Sequence, residues 1–271
     1  MTLLRRLFAV DKPIIAMLHL PALPGRPGHD RTAGMQRVVE TVERDLVTLQ
    51  EAGVDALLFC NEFDLPYQLE VGPEISAAMA AVIGEVRARI TRPFGIDLVW
   101  DPLASLAVAR ATGAVFVREV FTGVYESDLG MMRPDLGAIA AYREHIGAAS
   151  VALFSNITPE FASTSGVRSI AERARSAAFL GVDAILVSGQ LTGTSTDVDD
   201  LRDAKSAVPG TPVLANTGVR EETVDEVLAN ADGVFVGTSL KRDGLTSNPV
   251  DPARAERFMS AVRRSRQAVA V

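Results

Sequence analysis

One phrase recurs eight times along this chain, and it constrains the fold more than any other feature. A polar segment of helical period ends at a Gly or a Gly-containing turn, a short apolar run follows, and a polar or Gly-rich loop closes the unit. The apolar runs fall at residues 14–18, 56–60, 96–100, 114–117, 150–154, 184–187, 212–215 and 234–236. They are continuously apolar for most of their length rather than alternating, as parallel strands covered on both faces require. The glycines ahead of them, as in Gly53-Val54-Asp55 and Gly181-Val182-Asp183, suit helix ends that need a left-handed residue. Helices are expected between the runs, at about 32–52, 73–90, 102–111, 134–146, 167–180, 197–207, 220–229 and 252–266. Eight β-then-α units in 271 residues is about 34 per unit, the repeat of a single (β/α)8 TIM barrel in the α/β class. An open doubly wound sheet is the competing architecture. It usually needs fewer strands, and no G-x-G-x-x-G follows the first run. Nothing resembling a linker divides the chain, so 1–271 reads as one domain, with 1–11 an N-terminal extension and 252–271 the last helix and tail.

Charge and cysteine content narrow the function class. Lys and Arg total 27 against 34 Asp and Glu, a net charge of −7. No basic excess is available to neutralise the phosphates of a nucleic acid. The lone cysteine, Cys60, excludes an intramolecular disulfide framework, and a cytoplasmic location is the default. Residues 1–10 lack the apolar core and cleavage site of a signal peptide, and no run of about 18 apolar residues offers a membrane span.

Barrels of this kind build their sites from the loops after the strands. The residues just after each run are therefore the candidates. His19 suits acid/base work because its pKa lies near neutrality, although a histidine that packs and caps its loop is the equal alternative. Glu62, Asp101 and Glu119 are carboxylates at loop starts, candidates for proton transfer. Asp101 precedes Pro102 and reads equally as a helix N-cap. Arg118 and Asn61, with Asn156, Ser188 and Asn216, are placed to orient a substrate. Gly189, Gly218, Gly237, Thr238 and Ser239 cluster after the last three runs, where barrels often bind phosphate, and Lys241 adds a positive charge. Turn residues that merely end strands are the plain alternative. Cys60 reads as buried packing rather than a nucleophile. The long loops 121–133, with Met131 and Met132, and 157–166 read as lids or as ordinary surface loops. No H-E-x-x-H, C-x-x-C or EF-hand pattern marks a metal, so no cofactor is expected, with a divalent cation left open.

Several phrases resemble the BtpA/SgcQ family: His19-Leu20-Pro21-Ala22-Leu23-Pro24-Gly25, Val71-Gly72-Pro73-Glu74, Ala111-Thr112-Gly113-Ala114 and the stretch from Asp232 through Gly237-Thr238-Ser239-Leu240-Lys241. The likeness covers nearly the whole chain and implies a TIM barrel. One family name comes from a role in photosystem I biogenesis, and other members sit in sugar-metabolism settings. This chain departs from the family pattern at Cys60-Asn61, Trp100-Asp101-Pro102, Ser155-Asn156 and Pro159-Glu160-Phe161, while His19 and the last two strand ends are kept. The resemblance thus implies a shared anion site with a different acid/base set. The expected function is an enzyme acting on a small phosphorylated metabolite, a phosphosugar, by isomerase-, aldolase- or lyase-like proton transfer. A Schiff base is disfavoured, because no Lys stands at a strand's end. The alternative is a non-catalytic assembly or regulatory factor, and a metal-dependent hydrolase is a third reading. Homo-oligomerisation is expected on general grounds.

Overall fold

The computed structural model describes residues 1–191 and 193–269. The eight barrel strands are β1 (Ile14–His19), β2 (Ala56–Cys60), β3 (Phe94–Asp97), β4 (Phe116–Glu119), β7 (Ala152–Asn156), β9 (Ala184–Val187), β10 (Val213–Ala215) and β11 (Val234–Val236). They close in the order β1-β11-β10-β9-β7-β4-β3-β2, all parallel. Closure leaves the barrel sheet no free edge.

Alternation along each strand divides the apolar residues into two bodies. Ile15, Met17, Leu58, Phe116, Phe154, Leu186, Leu214 and Phe235 fill the barrel interior. Ile14, Ala16, Leu18, Leu57, Phe59, Ile185 and Val234 face outward and pack under the helices. Helix α2 (Gly34–Ala52) meets that outer layer with Val38, Val42, Leu46 and Leu49, one stripe at helical spacing. The remaining cover comes from α3 (Pro73–Val86), α4 (Pro102–Thr112), α5 (Leu136–His145), α6 (Ile170–Phe179), α7 (Val198–Ala207), α8 (Val224–Asn230) and α9 (Pro252–Val269). The N-terminal extension is itself built: α1 (Leu3–Phe8) sends Leu4 and Phe8 into the barrel's lower end. The Phe8 ring lies edge-on to Phe116 at 5.6 Å and to Phe154 at 6.2 Å.

Three strands differ from expectation. The third forms at Phe94–Asp97, not 96–100. The chain leaves the sheet after Asp97 because the Leu98 amide turns to the Ser105 hydroxyl, 2.8 Å away, and Trp100 takes φ 74°, which no strand tolerates. The fourth and fifth each form two residues late, at Phe116–Glu119 and Ala152–Asn156, and carry Arg118 and Glu119, and Ser155 and Asn156, within them. The two long loops are not loose lids. They contribute β5 (Tyr125–Ser127), β6 (Gly130–Met132) and β8 (Ala162–Thr164), which pair antiparallel in the order β6-β5-β8. This small sheet packs Tyr125 and Met132 against Val120, Trp100 and Leu69 beside the barrel mouth. No described helix is long and apolar enough to cross a membrane.

Candidate active site

A cavity of about 790 Å3 opens at the C-terminal ends of the strands. Of the residues singled out by sequence, His19, Glu62, Arg118, Asn216, Gly218, Gly237, Thr238 and Ser239 line it. Glu119 and Asn156 instead line a smaller lobe of about 40 Å3, which shares Glu62, Arg118 and Glu160 with the main cavity.

Arg118 is the centre of the arrangement. Its Nε donates to Asp97 Oδ2 at 2.8 Å, Nη2 stands 2.5 Å from the same oxygen, and Nη1 donates to Asn216 Oδ1 at 3.1 Å. Asn216 Nδ2 in turn donates to Ser188 Oγ at 2.8 Å, and Asn156 Nδ2 donates to Ser188 Oγ at 3.0 Å and to Glu160 Oε2 at 3.1 Å. A fully paired buried network of this kind fixes side-chain positions. Three further carboxyls surround the Arg118–Asp97 pair. Burial raises Glu119 well above its ordinary pKa, with the charge of Asp97 adding to the effect. Burial raises Glu160 as well, against the pull of Arg118. Burial raises Glu62 to about 7, again opposed by Arg118. The one side-chain hydrogen bond of Glu62 among the described residues comes from the Cys60 thiol, 3.7 Å from Oε2. Burial also holds that thiol well above its usual pKa, so Cys60 packs as a protonated side chain.

His19 ends β1 with its ring buried and Nδ1 unpartnered. Burial, and then the positive charges of Lys241 and Arg118, hold it well below the usual histidine pKa, so it is neutral. Gly237 is required beside it: a Cβ there would stand 2.8 Å from His19 Cε1. The outer end of the cavity is made by the turns after β10 and β11. Gly218, at φ 68°, lies so close to the loop between β9 and α7 that a Cβ would meet Ser195 N at 2.3 Å. Thr238 Oγ1 pairs with Thr246 Oγ1 at 2.9 Å, and Ser239 Oγ donates to Val219 O at 2.8 Å.

Five expected residues are placed elsewhere. Lys241 is buried and its Nζ lies 2.9 Å from Asp45 Oδ2, so it faces away from the main cavity. Arg254 on α9, missed in sequence, is a cation that does reach the cavity. Arg254 donates through Nε to the Ser239 carbonyl at 2.9 Å and lines the cavity. Asp101 is an N-cap: Oδ1 accepts from Ala104 N and Oδ2 from Val71 N, both at 2.9 Å. Asn61 ties Asp64 and the Val99 amide together behind the site. The Gly189 amide donates to Thr217 Oγ1 at 2.6 Å, and Ser188 is the network hub described above. Asp97 and Glu160 were not taken as site residues. Asp97 carried a legible signal, a charge within an apolar run that only a partner makes tolerable. Arg254 carried none, being one of several basic residues on the last helix. Among the described residues, no three His, Cys, Asp or Glu side chains are arranged to hold a metal ion.

The fold is shared with known enzymes. The N-acetylmannosamine-6-phosphate 2-epimerase of Clostridium perfringens superposes with a TM-score of 0.56 at 16% identity, over 87% of this chain and 91% of that one. Relatives by sequence span the chain. The "Putative sgc region protein SgcQ" of Escherichia coli (strain K12) is 46% identical over 268 residues, 98% of this chain and 100% of its own. The "Photosystem I biogenesis protein BtpA" of Synechocystis sp. (strain ATCC 27184 / PCC 6803 / Kazusa) is 31% identical over 261 residues, 94% of this chain and 89% of its own. The BtpA family model matches residues 10–264, and the chain belongs to the BtpA family.

Proposed function

We propose that this protein is an enzyme acting on a small phosphorylated metabolite, a phosphosugar, through an isomerase- or aldolase-type proton transfer. One observation carries the reading. A single cavity holds a carboxyl that titrates near pH 7, Glu62, and an anchor for an anion at its other end. The anchor comprises the Gly218 and Gly237 turns, the Thr238 and Ser239 hydroxyls and the Arg254 guanidinium, held in place through its Nε. Glycines let backbone amides approach phosphate oxygens, and a guanidinium supplies the paired charge.

In this mechanism Glu62 removes a proton from the carbon beside a substrate carbonyl. Neutral His19 gives a hydrogen bond to the carbonyl oxygen and so stabilises the charge that develops there. Return of the proton to the neighbouring carbon gives isomerisation. For the aldol type Glu62 instead takes the proton of the hydroxyl on the carbon β to the carbonyl: the bond between the α and β carbons breaks, its electrons form the enolate, and the α carbon then takes up a proton. The shared fold of an epimerase named for a 6-phosphate substrate supports the phosphate end of this reading.

The test is thermal unfolding with inorganic phosphate, with and without magnesium. Phosphate at 100 times its dissociation constant adds about 2.7 kcal/mol of apparent stability. Thr238→Val and Arg254→Met are expected to abolish the gain. Absence of any phosphate stabilisation in the unaltered protein overturns the reading. A second reading, a non-catalytic assembly factor, is favoured by the name of the BtpA relative and by Phe179, 89% exposed beside Leu180. It predicts a protein partner lost on Phe179→Asp and no phosphate effect.

A further inference from the structure

The lobe beside the main cavity bears on which phosphosugars fit. It is lined by Val99, Trp100, Val120 and Phe161, with Tyr67 and Asn156, and by four carboxyl side chains: Glu62, Asp97, Glu119 and Glu160. Its volume of about 40 Å3 has room for roughly three water-sized groups, so a hydroxymethyl and a carboxylate fit equally by size. Charge separates them. Arg118 is the only cation among the described residues lining the lobe, and its charge is already paired: Nε and Nη2 lie on Asp97, and Nη1 donates to Asn216. A carboxylate entering here would be a fifth acid beside one neutralised arginine, in a space walled partly by apolar side chains. A hydroxyl meets no such cost, because it donates to an ionised carboxylate and accepts from a protonated one or from the Asn156 amide. An ammonium group gains little. Asp97 is already balanced by Arg118, and burial favours the protonated form of the other three. The lobe adjoins Glu62 and lies outside the set of residues that forms the anion anchor.

We infer that this lobe is a specificity subsite for the uncharged, hydroxyl-bearing end of the substrate, so that the protein selects sugar phosphates and rejects phosphorylated sugar acids. The inference rests on the reading that phosphate occupies the Gly237–Arg254 end.

Trp100 is the chain's single tryptophan, and it lines the lobe, so its fluorescence reports filling there, while thermal unfolding reports binding anywhere in the cavity. Four probes separate the claims: inorganic phosphate, D-glucitol, D-glucitol 6-phosphate and 6-phospho-D-gluconate. The last two differ only in ending in a hydroxymethyl or a carboxylate. D-Glucitol 6-phosphate is expected to bind at least tenfold tighter than inorganic phosphate and to change the emission. 6-Phospho-D-gluconate is expected to bind no tighter than inorganic phosphate and to leave the emission unmoved. Equal or tighter binding of the sugar acid overturns the inference. So does a glucitol phosphate that gains nothing over inorganic phosphate, and in that case the phosphate anchor still stands. A change of emission with D-glucitol alone, without any effect of inorganic phosphate, sinks the anchor and keeps the subsite. No effect from any probe sinks both. Tighter binding by 1-amino-1-deoxy-D-glucitol 6-phosphate than by the hydroxyl form also overturns the inference.

Discussion

Glu62 and Lys241 show how far residue type alone carries. Both are ionisable, both follow strands, and only their surroundings separate an acid/base group from a structural one. Glu62→Gln is expected to lower kcat by about 10²-fold or more while phosphate binding is kept, and to remove an acidic limb near pH 7 from kcat/KM. Stability responds with a defined sign. A carboxyl whose pKa is raised in the folded state holds its proton more tightly there, so the fold loses stability as pH rises from the ordinary 4.5 to about 7. Glu62→Gln removes that loss: thermal unfolding of the variant matches the parent below pH 4.5 and exceeds it above pH 7. Lys241→Ala leaves Asp45 buried without its ammonium partner and is expected to cost roughly 3–5 kcal/mol in denaturant unfolding, with phosphate affinity unchanged. A marked loss of phosphate affinity would return Lys241 to the anion site. His19, Arg118 and the Gly237-Thr238-Ser239 turn were legible because strand ends locate them directly. Lys241 was misplaced because its long side chain turns back to α2, a pairing across 196 positions that no local pattern announces.

At the scale of elements, periodicity located all eight barrel strands and the helices between them, and it faltered where side chains compete with the ladder. The third strand stops short because Ser105 and Asp101, both on or next to α4, capture the backbone around residues 98–104. Asp97 therefore points its carboxylate at Arg118 rather than lying mid-strand. The small β6-β5-β8 sheet was unreadable because its three-residue strands are too short to show a period and draw on two loops some thirty residues apart. The N-terminal helix carries more weight than its six residues suggest. Phe8→Ala empties the lower end of the barrel and is expected to cost about 3–5 kcal/mol in denaturant unfolding, because the rings of Phe116 and Phe154 lose their cover.

For the whole molecule, the closed sheet and the appended one should part company in hydrogen exchange. Barrel strands have neighbours on both sides and helices outside, so their amides are expected to exchange only through global unfolding. The amides of β5, β6 and β8 are expected to exchange earlier, through local opening, because only β5 has a partner on each side. Equal protection of the two, measured by mass spectrometry, would make them one cooperative unit. The cavity also has a plan along the chain. On the proposed function, its proton-transfer end comes from residues 19–160 and its anion anchor from residues 218–254. The two ends are thus written in separate stretches of sequence, joined in space by Arg118 and Asn216. A genetic crossover near residue 200 would exchange the anchor or the chemistry as a block. Descent by recombination can therefore trade one reaction for another while each recombinant inherits a whole anchor, provided the contacts that cross the junction survive, among them Arg118 with Asn216, Asn216 with Ser188 and Lys241 with Asp45.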